Sequence, residues 1–216
     1  MRFDAIIVPR GAEARAVVQG WPKPRPALLV VPAGSAAGTR LDDDGWPART
    51  AVVLGLCGAI DPALRVGEPV IYGRIIDGAD VIELDAALAH ECSAAFERAP
   101  LAAATVTHVV GAPVEKGALR AASGAAVIDM EGAAVARALH RRGTRVAMLR
   151  VVSDDARSAL PDLGEAYDAQ GALRTSALLG AFVRSPLRSA RFVTNALRAL
   201  RVLRATAARL AFMASG

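Results

Sequence analysis

Short runs of β-branched and apolar residues, bounded by Gly, Pro or Asp, alternate along this chain with segments whose apolar positions recur every three or four residues. The runs predict strands at 3–8, 27–31, 51–54, 69–76, 105–110, 125–129 and 145–152. The helical spacing predicts helices at 12–19, 85–98, 115–123 and 131–142, the last closing on Arg141-Arg142 and Gly143. Strands alternating with helices specify an α/β layer architecture. The Pro-rich stretch Trp21–Pro26 and the acidic turn Asp42–Pro47 read as surface connections, and no internal repeat is visible. A linker-like region with Pro161, Gly164 and Gly171 precedes a last periodic stretch. There Val193, Ala196, Leu200, Leu203, Ala207 and Leu210 form one apolar stripe, with Arg191, Arg198, Arg201 and Arg209 mainly on the other face.

Charge sharpens that picture. The net charge of +5 averages two unlike parts. Asp168 is the last acid, and residues 174–216 hold eight arginines and no acid. Residues 1–173 hold 18 basic and 21 acidic side chains, a net of −3. The expected organisation is therefore a domain over 1–173 joined to an Arg-rich amphipathic extension over 174–216. A basic amphipathic helix suits an anionic membrane surface, and segment 184–213 is the expected peripheral contact. The same stripe also fits a helix packed on its own domain or on a second subunit, and that alternative stays open. Nucleic acid fits less well, since only 4% of residues are aromatic and no recognition motif is present.

Composition excludes other classes. With 216 residues, 53% of them hydrophobic, one substantial core is affordable without disulfides. Cys57 and Cys92 make no disulfide framework, and no His/Cys cluster has metal-ligand spacing. The start Met1-Arg-Phe-Asp-Ala-Ile-Ile-Val8 reads as a first strand, not a secretion signal. No uncharged apolar run reaches the ~18 residues of a spanning helix. These features point to a reducing, cytoplasmic setting, with the tail at the inner face of the membrane.

Chemistry concentrates where predicted strands run into acids. Val127-Ile128 leads to Asp129, Met130 and Glu131, where a helix begins. The strand ending at Val152 leads to Ser153, Asp154 and Asp155. A third strand runs into the small-residue turn Gly55-Leu56-Cys57-Gly58, where backbone N–H groups can approach a ligand. In open α/β sheets ligands bind outside the carboxyl ends of strands. Taken singly, Glu131 and Asp154 also fit helix-start and loop-cap roles, Met130 a core role and Cys57 a small buried residue. His90, His108 and His140 show no partner in the sequence.

The runs Gly55–Pro62, Asp129–Ala134 and Arg150–Asp154 resemble the purine nucleoside phosphorylase / methylthioadenosine nucleosidase superfamily over about residues 3–160. A narrower resemblance is to hopanoid-associated nucleosidases, around Glu115-Lys116, Asp129–Glu131, Val152–Asp154, Pro161 and the Arg-rich tail. The resemblance implies a single α/β domain with a central mixed sheet flanked by helices, often a homo-oligomer, with the basic amphipathic helical tail added. It implies Asp154 as the acid toward purine N7 and Glu131 as the holder of the ribose hydroxyls. It further implies Met130 packed on the sugar, Ser153 orienting the aspartate, and Glu13 as the candidate that activates water. To act at neutral pH, Asp154 is expected to draw on like-charge repulsion from Asp155.

One departure matters. Leu56 stands where phosphorylases of the superfamily place a serine beside phosphate, with Val53 three residues earlier, so water is the expected acceptor. The context of Glu13, Val8-Pro-Arg-Gly-Ala-Glu13, is a poor copy of the usual Gly-rich start. The reading is cleavage of a 5′-substituted adenosine with an apolar substituent, adenosylhopane in the narrower resemblance, needing no cofactor or metal. Its rivals are a phosphate-dependent purine nucleoside phosphorylase and a catalytically weak binder of adenine nucleosides or membranes.

Overall fold

The computed structural model describes residues 2–43, 48–161 and 184–215. The elements run β1 (Ala5–Pro9), α1 (Ala12–Gly20), β2 (Ala27–Val31), α2 (Ala36–Asp43), β3 (Thr50–Ala59), β4 (Pro69–Asp77) and β5 (Asp80–Glu83). They continue as α3 (Ala86–Phe96), β6 (Leu101–Thr105), α4 (Pro113–Ser123), β7 (Val127–Asp129), α5 (Gly132–Arg141), β8 (Arg145–Asp154) and α6 (Pro186–Ser215). The strands form one sheet in the order β2-β1-β3-β7-β6-β4-β5, with β8 bridging β3 and β4. Strand β3 pairs with β8 along most of its length and with β7 at Gly58 and Ala59, so β3, β8, β4, β6 and β7 close on themselves. Parallel and antiparallel pairs are both present, and helices cover the sheet. This is the α/β class with a mixed sheet that the alternating pattern predicts.

Topology places the chemistry. Strands β1, β3 and β8 are parallel, so Pro9, Leu56–Ala59 and Ser153-Asp154 emerge at one edge. Strand β7 crosses the end of β3, with Ile128 opposite Gly58, and delivers Asp129 to that edge. The core beneath is aliphatic. Ile7, Val53, Val146 and Met148 fill one face, and Val17, Leu54, Leu149 and Val151 the other.

Three local expectations need correction. The strand expected at 105–110 lies at Leu101–Thr105. Ala103 and Ala104 are buried in the ladder, whereas Val106, Val109 and Val110 form the wall of a cavity. β-branched residues there mark a half-buried surface and not a ladder. The strand expected at 69–76 continues into a hairpin through the Asp77-Gly78 turn, with Gly78 at φ 63°. The strand expected at 51–54 runs on to Ala59, so Gly55-Leu56-Cys57-Gly58 is the end of β3 and not a turn, with the small residues inside the ladder.

Helix α6 is the larger correction. Its apolar stripe faces the protein's own core, and Ala199, Leu203, Ala207 and Leu210 are buried with Val17 and Trp21. Contact with α1 is so close that a Cβ on Gly20 would collide with the carbonyl oxygen of Arg204. The stripe read as a membrane-seeking face is therefore taken up by the fold. The arginines 184, 188, 191, 198, 201, 204 and 209 remain exposed, although Arg191 reaches Asp155 at 3.1 Å and Arg209 lies 5.2 Å over the Phe96 ring. Among the described residues no helix is long and apolar enough to cross a membrane. The 173/174 boundary, Arg174, Gly164 and Gly171, and residues 44–47 of the acidic turn lie outside the described residues.

If α6 is part of the core, Leu203→Ala costs about 2–5 kcal/mol of stability. Arg201→Ala, on the exposed face, stays within about 0.5 kcal/mol. Urea unfolding of the two variants checks this, and equal, negligible effects would show that the helix is not packed as described.

Candidate active site

A cavity of about 220 Å³ opens at the shared strand edge. It gathers residues far apart in sequence: Glu13, then Leu56, Cys57 and Gly58 of β3, then Asp129, Met130 and Glu131, then Ser153 and Asp154 of β8. Gly55 lies beneath it. The rest of the wall is mostly apolar, with Val106, Val109, Val110 and Leu160, and α6 adds Phe192 and Ala196. The tail thus belongs to the cavity as well as to the core.

Arg150, absent from the candidates drawn from sequence, holds the floor together. It is fully buried in the middle of β8. Its Nη1 donates to Glu131 Oε1 at 2.7 Å, and Nη2 lies 3.4 Å from Asp129 Oδ2. Burial works against its charge, but Glu131 and Asp129 outweigh that and hold the guanidinium protonated. Gly55 is required below it, since a Cβ there would collide with Nη1 and lie 2.9 Å from Glu13 Oε1. A signal was available in the sequence, because a lone charge inside Val146–Val152 must find partners if that strand is central.

The Asp129 segment divides its work. Asp129 Oδ1 accepts from Gly132 N at 3.0 Å and from Thr105 Oγ1 at 2.9 Å, while Thr105 Oγ1 accepts from Ala133 N at 2.9 Å. Asp129 and Thr105 thereby satisfy the start of α5. Glu131, at the N-cap position, makes no side-chain cap bond and turns to Arg150 instead. Its anchor is a guanidinium rather than the helix end expected from sequence. Burial pushes the Glu131 carboxyl above its ordinary range, with Arg150 opposing. Met130 is half-buried at the cavity wall.

Glu13 reaches the site despite its unusual sequence context. Strand β1 ends at Pro9, Gly11 turns the chain at φ 99°, and α1 begins at once. Glu13 Oε1 then accepts from Leu56 N at 2.6 Å. Burial, with Glu131 adding to it and Arg150 opposing, pushes its carboxyl up to about 8.

At the opposite end Asp154 contacts the buried ammonium of Lys116, and Lys116 Nζ also donates to the Asp155 carbonyl at 2.9 Å. Ser153 Oγ lies 2.9 Å from Asp154 Oδ1 and 3.1 Å from the Cys57 carbonyl oxygen. The expected repulsion from Asp155 is not what surrounds Asp154. The Asp155 carboxylate accepts from Arg157 N at 3.0 Å and from Arg191 at 3.1 Å. Burial pushes Asp155 up, but hydrogen bonds from Ser158 and Arg157 together with Arg191 hold it below its ordinary range. His108, which has no partner legible in sequence, pairs with Glu115 Oε1 at 3.0 Å. Burial pushes the Cys57 thiol well up, which makes it a poor nucleophile. Among the described residues no His, Cys, Asp or Glu cluster is placed to hold a metal ion.

The arrangement offers carboxyl groups on either side of a small cavity, with Asp154 at one end. It suits chemistry that develops positive charge in the middle and negative charge at that end.

A family model described as the Phosphorylase superfamily matches residues 31–184. Among solved structures, the 5′-methylthioadenosine/S-adenosylhomocysteine nucleosidase of Colwellia psychrerythraea in complex with adenine has a TM-score of 0.67 at 14% identity. That match covers 97% of this chain and 96% of the other. The nucleosidase of the same name from S. pneumoniae, with a transition-state inhibitor, has a TM-score of 0.67 at 16% identity, covering 95% and 98%. Futalosine hydrolase of Helicobacter pylori gives 0.63 at 14% identity, covering 89% and 96%. At such identities the likeness is one of fold. No curated protein matches the chain.

Glu13 sets an expected pH dependence of stability. Its carboxyl shifts from an ordinary 4.5 to about 8 in the folded protein. Between those values the native state binds a proton that the unfolded chain has released, so stability falls as pH rises. Wild type should lose thermal stability relative to Glu13→Gln from about pH 5 to pH 8. Melts that move in parallel across that range would show that Glu13 is not held protonated.

Proposed function

The chain belongs to the phosphorylase superfamily, and on that premise we propose that it cleaves the N-ribosidic bond of a 5′-substituted adenosine, releasing adenine and passing the ribosyl group to water. One observation carries the choice of water. The Leu56 N–H, a backbone donor near the end of β3 that would face an anion there, is taken by the Glu13 carboxyl at 2.6 Å. Around it stand Asp129, Glu131 and Asp154. A phosphate entering there would meet carboxyl groups and the apolar Leu56 side chain, with the Leu56 N–H already engaged.

The same groups suit hydrolysis. Cleavage builds positive charge on the ribose, which the surrounding carboxylates stabilise, and negative charge on the purine. Asp154 gives the leaving base a proton, and Ser153 restrains that carboxyl. Glu131, fixed by Arg150, takes the ribose hydroxyls, and Met130 packs against the sugar. Glu13 in its ionised form removes a proton from the attacking water, and with its carboxyl raised to about 8 that form grows as pH rises above neutral.

The cavity of about 220 Å³ falls below the ~300–1,000 Å³ usual for ligand pockets. A bulky 5′ substituent must therefore leave it, and the apolar side chains of Val109, Leu160 and Phe192 favour a hydrocarbon there. A lipid-bearing adenosine of the hopanoid kind fits this reading. The outer face of α6 extends it. Leu187, Leu197 and Phe212 are 86%, 51% and 82% exposed among arginines, with no acid on the helix. Attraction of roughly 1 kcal/mol per basic residue would bring this face to an anionic membrane, with its outer apolar residues among the headgroups.

The test follows adenine release from methylthioadenosine and from a long-chain 5′-alkyl adenosine, with and without phosphate, and sedimentation with anionic or neutral vesicles. The expected result is release at the same rate without phosphate, lowered on the order of 10²–10⁴-fold in Asp154→Asn, and sedimentation with anionic vesicles that salt reverses. Ribose 1-phosphate formed only when phosphate is present would replace the hydrolase by a phosphorylase. Failure to sediment would remove the membrane role alone.

A further inference from the structure

Helix α4 packs Leu119 against the core but also encloses a lysine. Lys116 is its one buried side chain, fully enclosed, while Val114 is 81% exposed. Packing alone asks for the reverse, since an enclosed ammonium is costly unless a partner compensates it. The partner is the proposed acid. Nζ contacts Asp154 Oδ2 and donates to the Asp155 carbonyl at 2.9 Å.

A count of protons sharpens the point. Ser153 Oγ carries one proton and lies within reach of two acceptors, the Cys57 carbonyl and Asp154 Oδ1. A carbonyl only accepts, so the hydroxyl cannot fully serve both. Lys116 is then the one group in contact with Asp154, among the described residues, that has protons to spare. The other titratable and charged groups nearby are otherwise engaged. Cys57 of β3 is a buried thiol, His108 and Glu115 bind each other, and Asp155 is bound to Arg157 and Arg191.

Building on the hydrolase reading above, we propose that Lys116 is the positioning residue and proton source for Asp154. The Nζ–Oδ2 contact fixes the direction of the carboxyl and holds one transferable proton. As the C–N bond breaks, its electron pair goes to the purine and that proton passes through Asp154 to the base. A neutral amine and a carboxylate remain, and bulk water restores the proton to Nζ after the products leave. The water proton goes separately to Glu13.

The experiment uses the full chain with Lys116→Met and Lys116→Arg, each alone and with Asp154→Asn. The substrates are a 5′-substituted adenosine and an N7-methylated purine nucleoside, whose base already carries its positive charge and leaves without a proton. On the first substrate Lys116→Met should lower kcat on the order of 10²–10³-fold with KM little changed. Its optimum should move to lower pH, because Asp154 must then draw its proton from solvent. Lys116→Arg keeps a cation that does not release its proton, so kcat should stay lowered with KM again close to wild type. On the N7-methylated substrate all single variants should match wild type, and Lys116→Met should add nothing to Asp154→Asn. If Lys116→Met melts below the assay temperature, Lys116→Gln serves for the same comparisons.

Wild-type turnover of both substrates by the Met or Gln variant overturns the proposal, as does an equal loss on both. Absence of adenine release from wild type itself would instead defeat the hydrolase reading.

Discussion

A guanidinium with no access to solvent sits at the centre of this protein, and much of the site is arranged to compensate it. Arg150 lies in the middle of β8 between aliphatic neighbours, where an uncompensated charge would be prohibitive. Its compensation comes from Glu131 at 2.7 Å and Asp129 at 3.4 Å, with Glu13 close by. Each is delivered by a different part of the chain: the entry to α1, the end of β7 and the start of α5. Gly55 must lack a side chain to let the guanidinium through. Because Asp129 and Thr105 cap α5, Glu131 is free to face both the arginine and the cavity. Glu131, proposed to handle the sugar, is thus held by the buried cation, while Glu13, proposed to handle water, is held beside it by the Leu56 N–H.

The second constraint is α6. A slightly acidic body and a basic terminal segment read as two units, yet the helix fills one side of the core through Leu203, Ala207 and Leu210 and places Phe192 in the cavity wall. Its arginines remain outside because only one face is used for packing. That economy lets a single helix complete the fold, shape the substrate entrance and present positive charge outward. A change at the outer surface of α6 is mechanically close to the cavity.

What the sequence disclosed follows from this physics. Asp129, Glu131 and Asp154 are legible because strands ending in acids are unusual, and Gly55 and Gly58 because small residues in series mark close approach, although they close a strand and not a turn. Glu13 was named through family resemblance, but its arrival depended on how tightly β1 turns into α1, which no local pattern gives. Arg150 is masked by its surroundings, since periodicity treats 145–152 as an apolar run. Lys116 was harder still. An amphipathic reading of α4 turns Val114 inward, and only the position of Asp154 explains why a lysine goes there. For α6 the periodicity marks an apolar stripe but not what covers it, and the membrane expected there is replaced by the protein's own core.

The claim that most of the account rests on is that Arg150 and its carboxylates form one interdependent unit. The direct measurement is urea unfolding, together with adenine release, of Arg150→Met and of Arg150→Met combined with Glu131→Gln. The single variant strands buried carboxylates and should lose about 3–5 kcal/mol. The double variant should recover part of that stability, and neither should release adenine at a measurable rate. An Arg150→Met protein as stable and as active as wild type would contradict the account.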